Sequence, residues 1–156
     1  MPHTVFSDIT SLLDAHGIVY RTVHHEPTKT SEESAKARGE DIAIGGKAIL
    51  LKVDETFSLF VISAAKKVDS QKIKKLFGAK RLRFASADEL MQLTHLVPGC
   101  VPPFGRPVLP FELIIDTSIL QNEKIAFNAG SLTDSVIMQT ADYLRVSNGR
   151  VMEFGE

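Results

Sequence analysis

The sequence lacks the features that would stabilise it covalently or direct it out of the cytoplasm. Cys100 is the only cysteine, so an internal disulfide is excluded. No apolar run approaches the ~20 residues that cross a bilayer. Residues 1–17 carry acids and have no long apolar centre, so they do not form a secretory signal. We therefore expect a cytoplasmic protein without a membrane partner.

Metal-binding patterns are missing as well. The histidines do not follow the spacing of metal ligands, and no cysteine pair accompanies them. The five positions concerned are His3, His16, His24, His25 and His95. We expect no metal site and no cofactor.

The composition is that of one ordinary globular domain, which we take to span residues 1–156. Apolar residues make up 44% of the chain and charged residues 24%, with no repeat, linker or low-complexity segment. A chain of this length buries enough surface to fold without a disulfide or a metal.

The net charge of −1 hides an uneven distribution. Residues 66–83 contain eight basic side chains and one acid, Asp69. This basic strip is either a solvated surface or a contact surface for nucleic-acid phosphates. The positions predicted to contact a nucleic-acid backbone are Lys66, Lys67, Lys74, Lys75 and Arg81.

Hydrophobic periodicity predicts an α+β fold, with a mixed, mainly antiparallel sheet flanked by helices, and the family resemblance given below adds that the sheet is curled. Helices, with their caps, are predicted at 5–17, 30–39, 69–78, 86–95 and 140–149, and a helical turn at 117–121. Capping boxes are predicted at Thr30–Glu33 and Ser86–Glu89. Strands are predicted at 18–25, 47–54, 57–64, 81–85, 112–116, 124–130, 134–139 and 151–154.

Gly45, Gly46 and Lys47 superficially resemble a phosphate-binding loop. Such a loop requires Ser or Thr after the lysine and a helix that follows, but Ala48 and an apolar strand come next. A P-loop is therefore rejected, and the glycines are better explained by a tight turn of the backbone into the strand. Lys47 is either a surface lysine or a side chain that points into a cleft.

Residues 96–110 form a long irregular segment with five prolines and two glycines. This Pro-rich loop is either a stiff connection or a pocket wall made of pre-positioned backbone groups. Cys100 lies within it and is either a small pocket-lining residue or, if a base lies nearby, a nucleophile. The turn at residues 128–130 is explained by turn chemistry and is a further candidate for the pocket.

Several motifs occur together, in an order that resembles the YbaK/prolyl-tRNA-synthetase-associated domain family. They are TSEESAKARG, GGKAILLKV, LRFASADEL, LVPGCVPPFG and FNAG. The resemblance extends from about residue 25 to about residue 144. The chain is similar to the free-standing members, because no synthetase domain is attached.

The resemblance implies the same fold class and an editing activity that hydrolyses the ester of mischarged tRNA, most often alanyl- or cysteinyl-tRNA for proline. It implies catalytic roles for Lys47 and Gly99. It also implies that substrate is bound by His25, Thr30, Gly46, Cys100, Val101, Pro102, Pro103, Phe104, Asn128, Ala129 and Gly130. Many relatives have glycine where Cys100 stands, so the identity of the substrate stays open.

The partners that the resemblance implies are the acceptor end of a mischarged tRNA and, as a candidate, prolyl-tRNA synthetase; no DNA is expected. Two other interpretations stay open. One is a non-catalytic module that binds tRNA or a synthetase, and the other is a hydrolase or binder of another small aminoacyl or nucleotide ester.

Overall fold

The computed structural model describes residues 4–28 and 30–156 and has the predicted α+β architecture. Its helices are α1 (Val5–Ala15), α2 (Ser31–Arg38), α3 (Ser70–Phe77), α4 (Ala87–Thr94), α5 (Thr117–Leu120) and α6 (Thr140–Ser147). Its strands are β1 (Tyr20–His24), β2 (Gly46–Val53), β3 (Thr56–Ser63), β4 (Leu82–Phe84), β5 (Leu113–Asp116), β6 (Lys124–Asn128), β7 (Asp134–Gln139) and β8 (Arg150–Met152).

The helices begin and end at capping residues. Ser86 and Glu89 form the predicted reciprocal capping box at the start of α4. At α2 only half of the predicted box forms, because the Thr30 hydroxyl accepts from the Glu33 amide while the Glu33 carboxylate accepts from the Thr30 hydroxyl. Gly78 ends α3 in the left-handed conformation that glycine adopts without strain.

The strands are divided between two sheets. A three-stranded antiparallel sheet has the order β1–β7–β6, and a five-stranded mixed sheet has the order β4–β2–β3–β5–β8. In the larger sheet β2 pairs antiparallel with β3 and β4, whereas β5 pairs parallel with β3 and β8. The predominance of antiparallel pairing agrees with the sequence prediction, while the division into two sheets is a feature that the sequence pattern did not reveal.

The two sheets meet where β2 begins. A single bridge joins Gly45 to Ala126 of β6. A β-carbon on Gly46 would lie 2.6 Å from Cδ1 of Ile125, and one on Gly45 would lie 2.9 Å from the Ala64 β-carbon. Glycine is therefore required here for close approach, whereas the sequence suggested a tight turn; Gly45 has an extended backbone.

Both faces of the five-stranded sheet are covered. Leu59 and Val61 face the main core, which the sheet shares with Phe127 and Val136 of the smaller sheet. Phe60 lies on the opposite face, in a smaller cluster. In the described part of the chain, no helix is both long and apolar enough to cross a membrane.

The Pro-rich loop is anchored to the core by α6. The buried Tyr143 hydroxyl donates a 2.6 Å hydrogen bond to the Pro103 carbonyl. The Tyr143 ring also packs edge-on against Phe104, with ring centroids 5.4 Å apart. One side of the loop is thereby fixed to the interior, which leaves the other side to face solvent.

Replacing Tyr143 by Phe should destabilise the protein by about 1–3 kcal/mol, because the buried Pro103 carbonyl would lose its partner. Urea unfolding followed by circular dichroism measures the change. Tyr20→Phe is a matched control, since the Tyr20 hydroxyl bonds Asp14 at the surface and its loss should change stability by less than about 0.5 kcal/mol. Equal midpoints for wild type and Tyr143→Phe would show that the bond does not anchor the loop.

Candidate functional site

A cleft of about 220 Å³ opens beside the point where the two sheets meet. Most of its wall comes from four segments, which are α2 with the loop before it, the start of β2, the Pro-rich loop and the end of β6, and Ile42 and Ala64 complete it. The lining residues are Thr28, Thr30, Ser31, Ser34, Ala35, Arg38, Ile42, Gly45, Gly46, Lys47, Ala48, Ala64, Gly99, Val101 and Asn128.

Helix α2 presents a small and polar face to this cleft. Ser31, Ser34, Ala35 and Arg38 all line it, at the spacing of residues that share one side of a helix. An amphipathic helix normally buries an apolar stripe. The buried face of α2 carries hydroxyl and guanidinium groups instead, which is typical of a binding surface.

Arg38 organises the deep side of the cleft. Its Nε donates to the Ser135 hydroxyl at 2.9 Å, and an Nη donates to Oδ1 of Asn128 at 3.0 Å. The Asn128 amide in turn donates to the Gly99 carbonyl at 2.8 Å. This chain of hydrogen bonds links α2, the smaller sheet and the Pro-rich loop.

The Arg38 guanidinium is only 9% exposed. Burial lowers the pKa of Arg38 to about 10, which leaves it charged at neutral pH. In residues 4–28 and 30–156, no carboxylate forms an ion pair or hydrogen bond with it. A buried cation bonded only to neutral groups makes the cleft attractive to anions.

Lys47 is the second cation of the cleft. It lies in β2 opposite Ile62 of β3, and its ammonium donates to the Lys66 carbonyl at 3.1 Å. Burial lowers the pKa of Lys47, and the nearby Lys67 lowers it further, while Glu32 acts in the opposite direction. Of the two positions that the sequence left open, the structure therefore has Lys47 in the cleft, half-buried and close to its rim.

The Pro-rich loop contributes backbone groups to the cleft. Gly99 has a φ of +92°, which favours glycine. The Cys100 amide is already engaged with the Val97 carbonyl, and the Cys100 carbonyl accepts from the Gly130 amide. The Gly99 and Val101 amides donate to no acceptor within the described residues. These two N–H groups are thus available to a ligand oxygen.

Six of the predicted site residues come together in the cleft. They are Thr30, Gly46, Lys47, Gly99, Val101 and Asn128. His25 does not line the cleft but is connected to it through Ser135. His25 Nε2 forms a hydrogen bond with the Ser135 hydroxyl, which Arg38 also contacts.

The other predicted substrate-binding residues do not line the cleft. Pro102, Pro103, Phe104 and Ala129 are buried in the interior, and Gly130 packs against Val5 of α1. These residues lie on the core side of the loop and turn, because Tyr143 and the main core hold that side inward. Their contribution to the site is to position the backbone of Gly99 and the side chain of Asn128.

Cys100 also belongs to the main core and is 7% exposed. Burial raises the pKa of its thiol, although a hydrogen bond with the Val97 backbone partly offsets the effect. A thiol held protonated is a poor nucleophile. The position is therefore suited to neither of the roles that the sequence suggested, and Cys100 serves as a packing residue.

The basic strip reaches the cleft at one end only. The Lys66 carbonyl bonds Lys47, and the charge of Lys67 acts on Lys47. Lys74 and Lys75 lie on α3, and Arg81 follows α3 just before β4. Lys66 and Lys67 are thus the strip residues that act on Lys47.

Arg38, Ser135, Ser34 and Thr28 were not singled out by sequence reasoning. Arg38 immediately precedes the glycine that ends α2, where a basic residue is expected for helix stability alone. A clue was available in α2 itself, whose sequence has no apolar stripe to bury.

The causes of the Lys47 pKa shift can be tested directly. We expect Lys67→Ala to raise the Lys47 pKa by removing a like charge, and Glu32→Gln to lower it by removing an opposite one. NMR titration with ¹³C-labelled lysine measures each value. Lys80→Ala is the control, and an unchanged Lys47 pKa in Lys67→Ala would exclude charge repulsion at the rim.

Comparisons with known proteins give a consistent result. Residues 25–146 match the sequence pattern of a family described as the aminoacyl-tRNA editing domain, and this segment contains every residue that lines the cleft. The chain is 34% identical over 152 residues to the multifunctional Ser/Thr-tRNA deacylase ProXp-y of Escherichia coli (strain K12). The alignment covers 94% of this chain and 90% of that protein.

More distant relatives have related descriptions. The prolyl-tRNA editing protein ProX of Acetoanaerobium sticklandii is 24% identical, and the alignment covers 93% of each chain. The proline–tRNA ligase of Shouchella clausii is 32% identical over 117 residues, which cover 75% of this chain but 20% of the ligase. A solved structure described as a candidate trans-editing enzyme for prolyl tRNA synthetase superimposes with a TM-score of 0.84 at 22% identity, covering 100% of this chain and 99% of that one.

Proposed function

Because the chain belongs to the aminoacyl-tRNA editing domain family, we propose that it is a trans-editing deacylase, which hydrolyses the ester of a tRNA charged with a wrong, small amino acid. The observation that carries the proposal is that Lys47, Arg38, Gly99 and Val101 line one cleft and that the amides of Gly99 and Val101 have no acceptor among the described residues. Such a cleft supplies cations for a polyanionic substrate and N–H donors for an ester oxygen.

Lys47 holds the phosphate or polar groups of the terminal adenosine. Its ammonium lies near the rim, where the Lys66–Lys67 turn adds a second positive charge. A flexible ammonium with several donors is suited to phosphate oxygens. Because the pKa of Lys47 is lowered, its charge is lost at a lower pH than that of an ordinary lysine, and activity should fall on the alkaline side accordingly.

The Gly99 and Val101 amides stabilise the oxyanion that forms when water attacks the ester carbonyl. Such donors contribute ~3–4 kcal/mol each in known cases. The water oxygen bonds to the carbonyl carbon, the bond to the ribose oxygen breaks, and that oxygen leaves with a proton. The neighbouring ribose hydroxyl of the substrate assists this proton transfer, so that neither a covalent intermediate nor a side-chain base is needed.

Selection of the amino acid depends on the size and polarity of the cleft. The sequence resemblance favours alanine or cysteine on tRNA for proline. The hydroxyl groups of Thr28, Thr30, Ser31 and Ser34 around the cleft favour serine or threonine instead. The Ser31 hydroxyl bonds no other described residue, and a polar site discriminates strongly against side chains that cannot use its hydrogen bonds.

The runner-up is a non-catalytic module that binds tRNA or a synthetase. A docking surface needs the cations and the basic strip but not a pair of unpaired amides beside them. We therefore rank catalysis first.

We expect wild-type protein to deacylate one or more of seryl-, threonyl-, alanyl- and cysteinyl-tRNA and to spare prolyl-tRNA. Lys47→Ala should reduce the rate about 10- to 100-fold, the value of a hydrogen bond to a charged group. Release of radiolabelled amino acid measures both. Lys36→Ala, with an exposed lysine that neither lines the cleft nor belongs to the basic strip, should be unaffected.

Two results would count against this proposal. Equal rates for wild type and Lys47→Ala would remove Lys47 from the mechanism. Binding of tRNA without hydrolysis of any ester in the panel would favour the docking module.

Contact between tRNA and the basic strip predicts strong salt dependence. Each phosphate contact that is removed should reduce the magnitude of the negative slope of log affinity against log salt concentration by about 1. Lys74→Ala combined with Lys75→Ala should therefore flatten the slope measured by filter binding, and Lys36→Ala serves as the control. An unchanged slope would mean that the strip is a solvated surface.

A further inference from the structure

A second groove lies beside the cleft. It has a volume of about 210 Å³ and is lined mainly by apolar side chains. Its residues are Ala48, Ile49, Leu50, Phe84, Ala85, Ser86, Ala87, Leu90, Pro98, Gly99 and Val101. None of them carries an ionisable side chain, so the groove offers no charged side chain to a phosphate or an ammonium group.

Phe84 stands out among these residues because its side chain is 61% exposed. It is the last residue of β4, an edge strand of the five-stranded sheet, and lies just before the N-cap of α4. An exposed aromatic ring beside an apolar groove is the typical form of a surface that receives a ligand.

The groove and the cleft share a wall. Ala48, Gly99 and Val101 line both of them. The two unpaired amides, of Gly99 and Val101, belong to this same wall. A molecule whose reactive carbonyl contacts these amides can therefore extend one substituent into the polar cleft and another into the apolar groove.

We propose that this groove binds the terminal adenine of the tRNA acceptor end and that Phe84 stacks on the base. The inference rests on the proposed function, because the ester that is cleaved and the adenine are attached to the same ribose. With the ester at the shared wall, the amino acid enters the hydroxyl-lined cleft, and the base lies on the other side, against Phe84 and Leu90.

The chemistry of the groove selects a nucleobase over the other parts of the substrate. The amino acid carries an ammonium group, which would lose hydration there without gaining a partner. A phosphate would likewise find no cationic side chain in the groove to offset its loss of hydration. A nucleobase is neutral and flat, and stacking on an aromatic side chain is the usual way in which proteins hold unpaired bases.

The test uses an uncharged RNA hairpin with a CCA end whose terminal base is 2-aminopurine, a fluorescent adenine analogue that is quenched by stacking. Wild type should bind it with quenching. Phe84→Ala should weaken binding roughly 5- to 100-fold, the range for loss of one stacked base, and should abolish the quenching. Phe84→Tyr should bind as wild type does, and Phe84→Leu should resemble Phe84→Ala.

Two controls isolate the contact. Val151→Ala changes another exposed apolar residue, on β8 at the opposite edge of the sheet, and should bind like wild type. A hairpin that lacks only the terminal base should bind wild type and Phe84→Ala equally. Circular dichroism verifies that each variant is folded.

The proposal is overturned if Phe84→Ala or Phe84→Leu binds and quenches the hairpin as wild type does, or if removal of the base weakens wild type and Phe84→Ala alike. Deacylation is measured separately on the same proteins. If no ester is hydrolysed but base binding still depends on Phe84, the proposed deacylase activity is refuted and the base subsite stands. If esters are hydrolysed with a KM that does not change when Phe84 is replaced, the subsite is refuted and the deacylase activity stands.

Discussion

The close approach of β2 to β6 is the constraint on which the site depends. A β-carbon on Gly46 would collide with Ile125 of β6, and one on Gly45 would collide with Ala64, which follows β3. The cleft opens beside this contact. Lys47 follows directly in the chain, which explains why a lysine at the start of an apolar strand lies in the cleft rather than in open solvent.

Arg38 gives this gap a defined shape. Its guanidinium bonds Ser135 and Asn128, and Asn128 reaches on to Gly99. A hydrogen-bonded network of this kind fixes the relative positions of a helix, a sheet and a loop. The free amides of the Pro-rich loop thus keep their direction without any support from the ligand, as preorganised stabilisation of an oxyanion requires.

Local signals predicted most of the secondary structure, because caps, turns and hydrophobic periodicity depend on residues that are only a few positions apart. Asp69, Gly78 and the Ser86–Glu89 pair act as expected. The Arg38–Ser135 bond joins residues 97 positions apart, and no local pattern reports such a contact. In the Pro-rich loop, the sequence marked the segment but gave no indication of which side would face inward. Residues on the core side were therefore included in the predicted pocket.

The burial of Arg38 without an acidic partner among the described residues also links the cleft to the stability of the whole protein. Desolvating a guanidinium lowers the free energy of unfolding, and a neutral, well-packed replacement can be more stable than a buried charge. Binding of an anionic ligand would restore part of this free energy of unfolding. A ligand with higher affinity would therefore also raise the thermal stability of the protein more. Selection for stability alone would then favour the replacement of Arg38. Its presence in the cleft reflects the trade-off between stability and activity that functional sites impose.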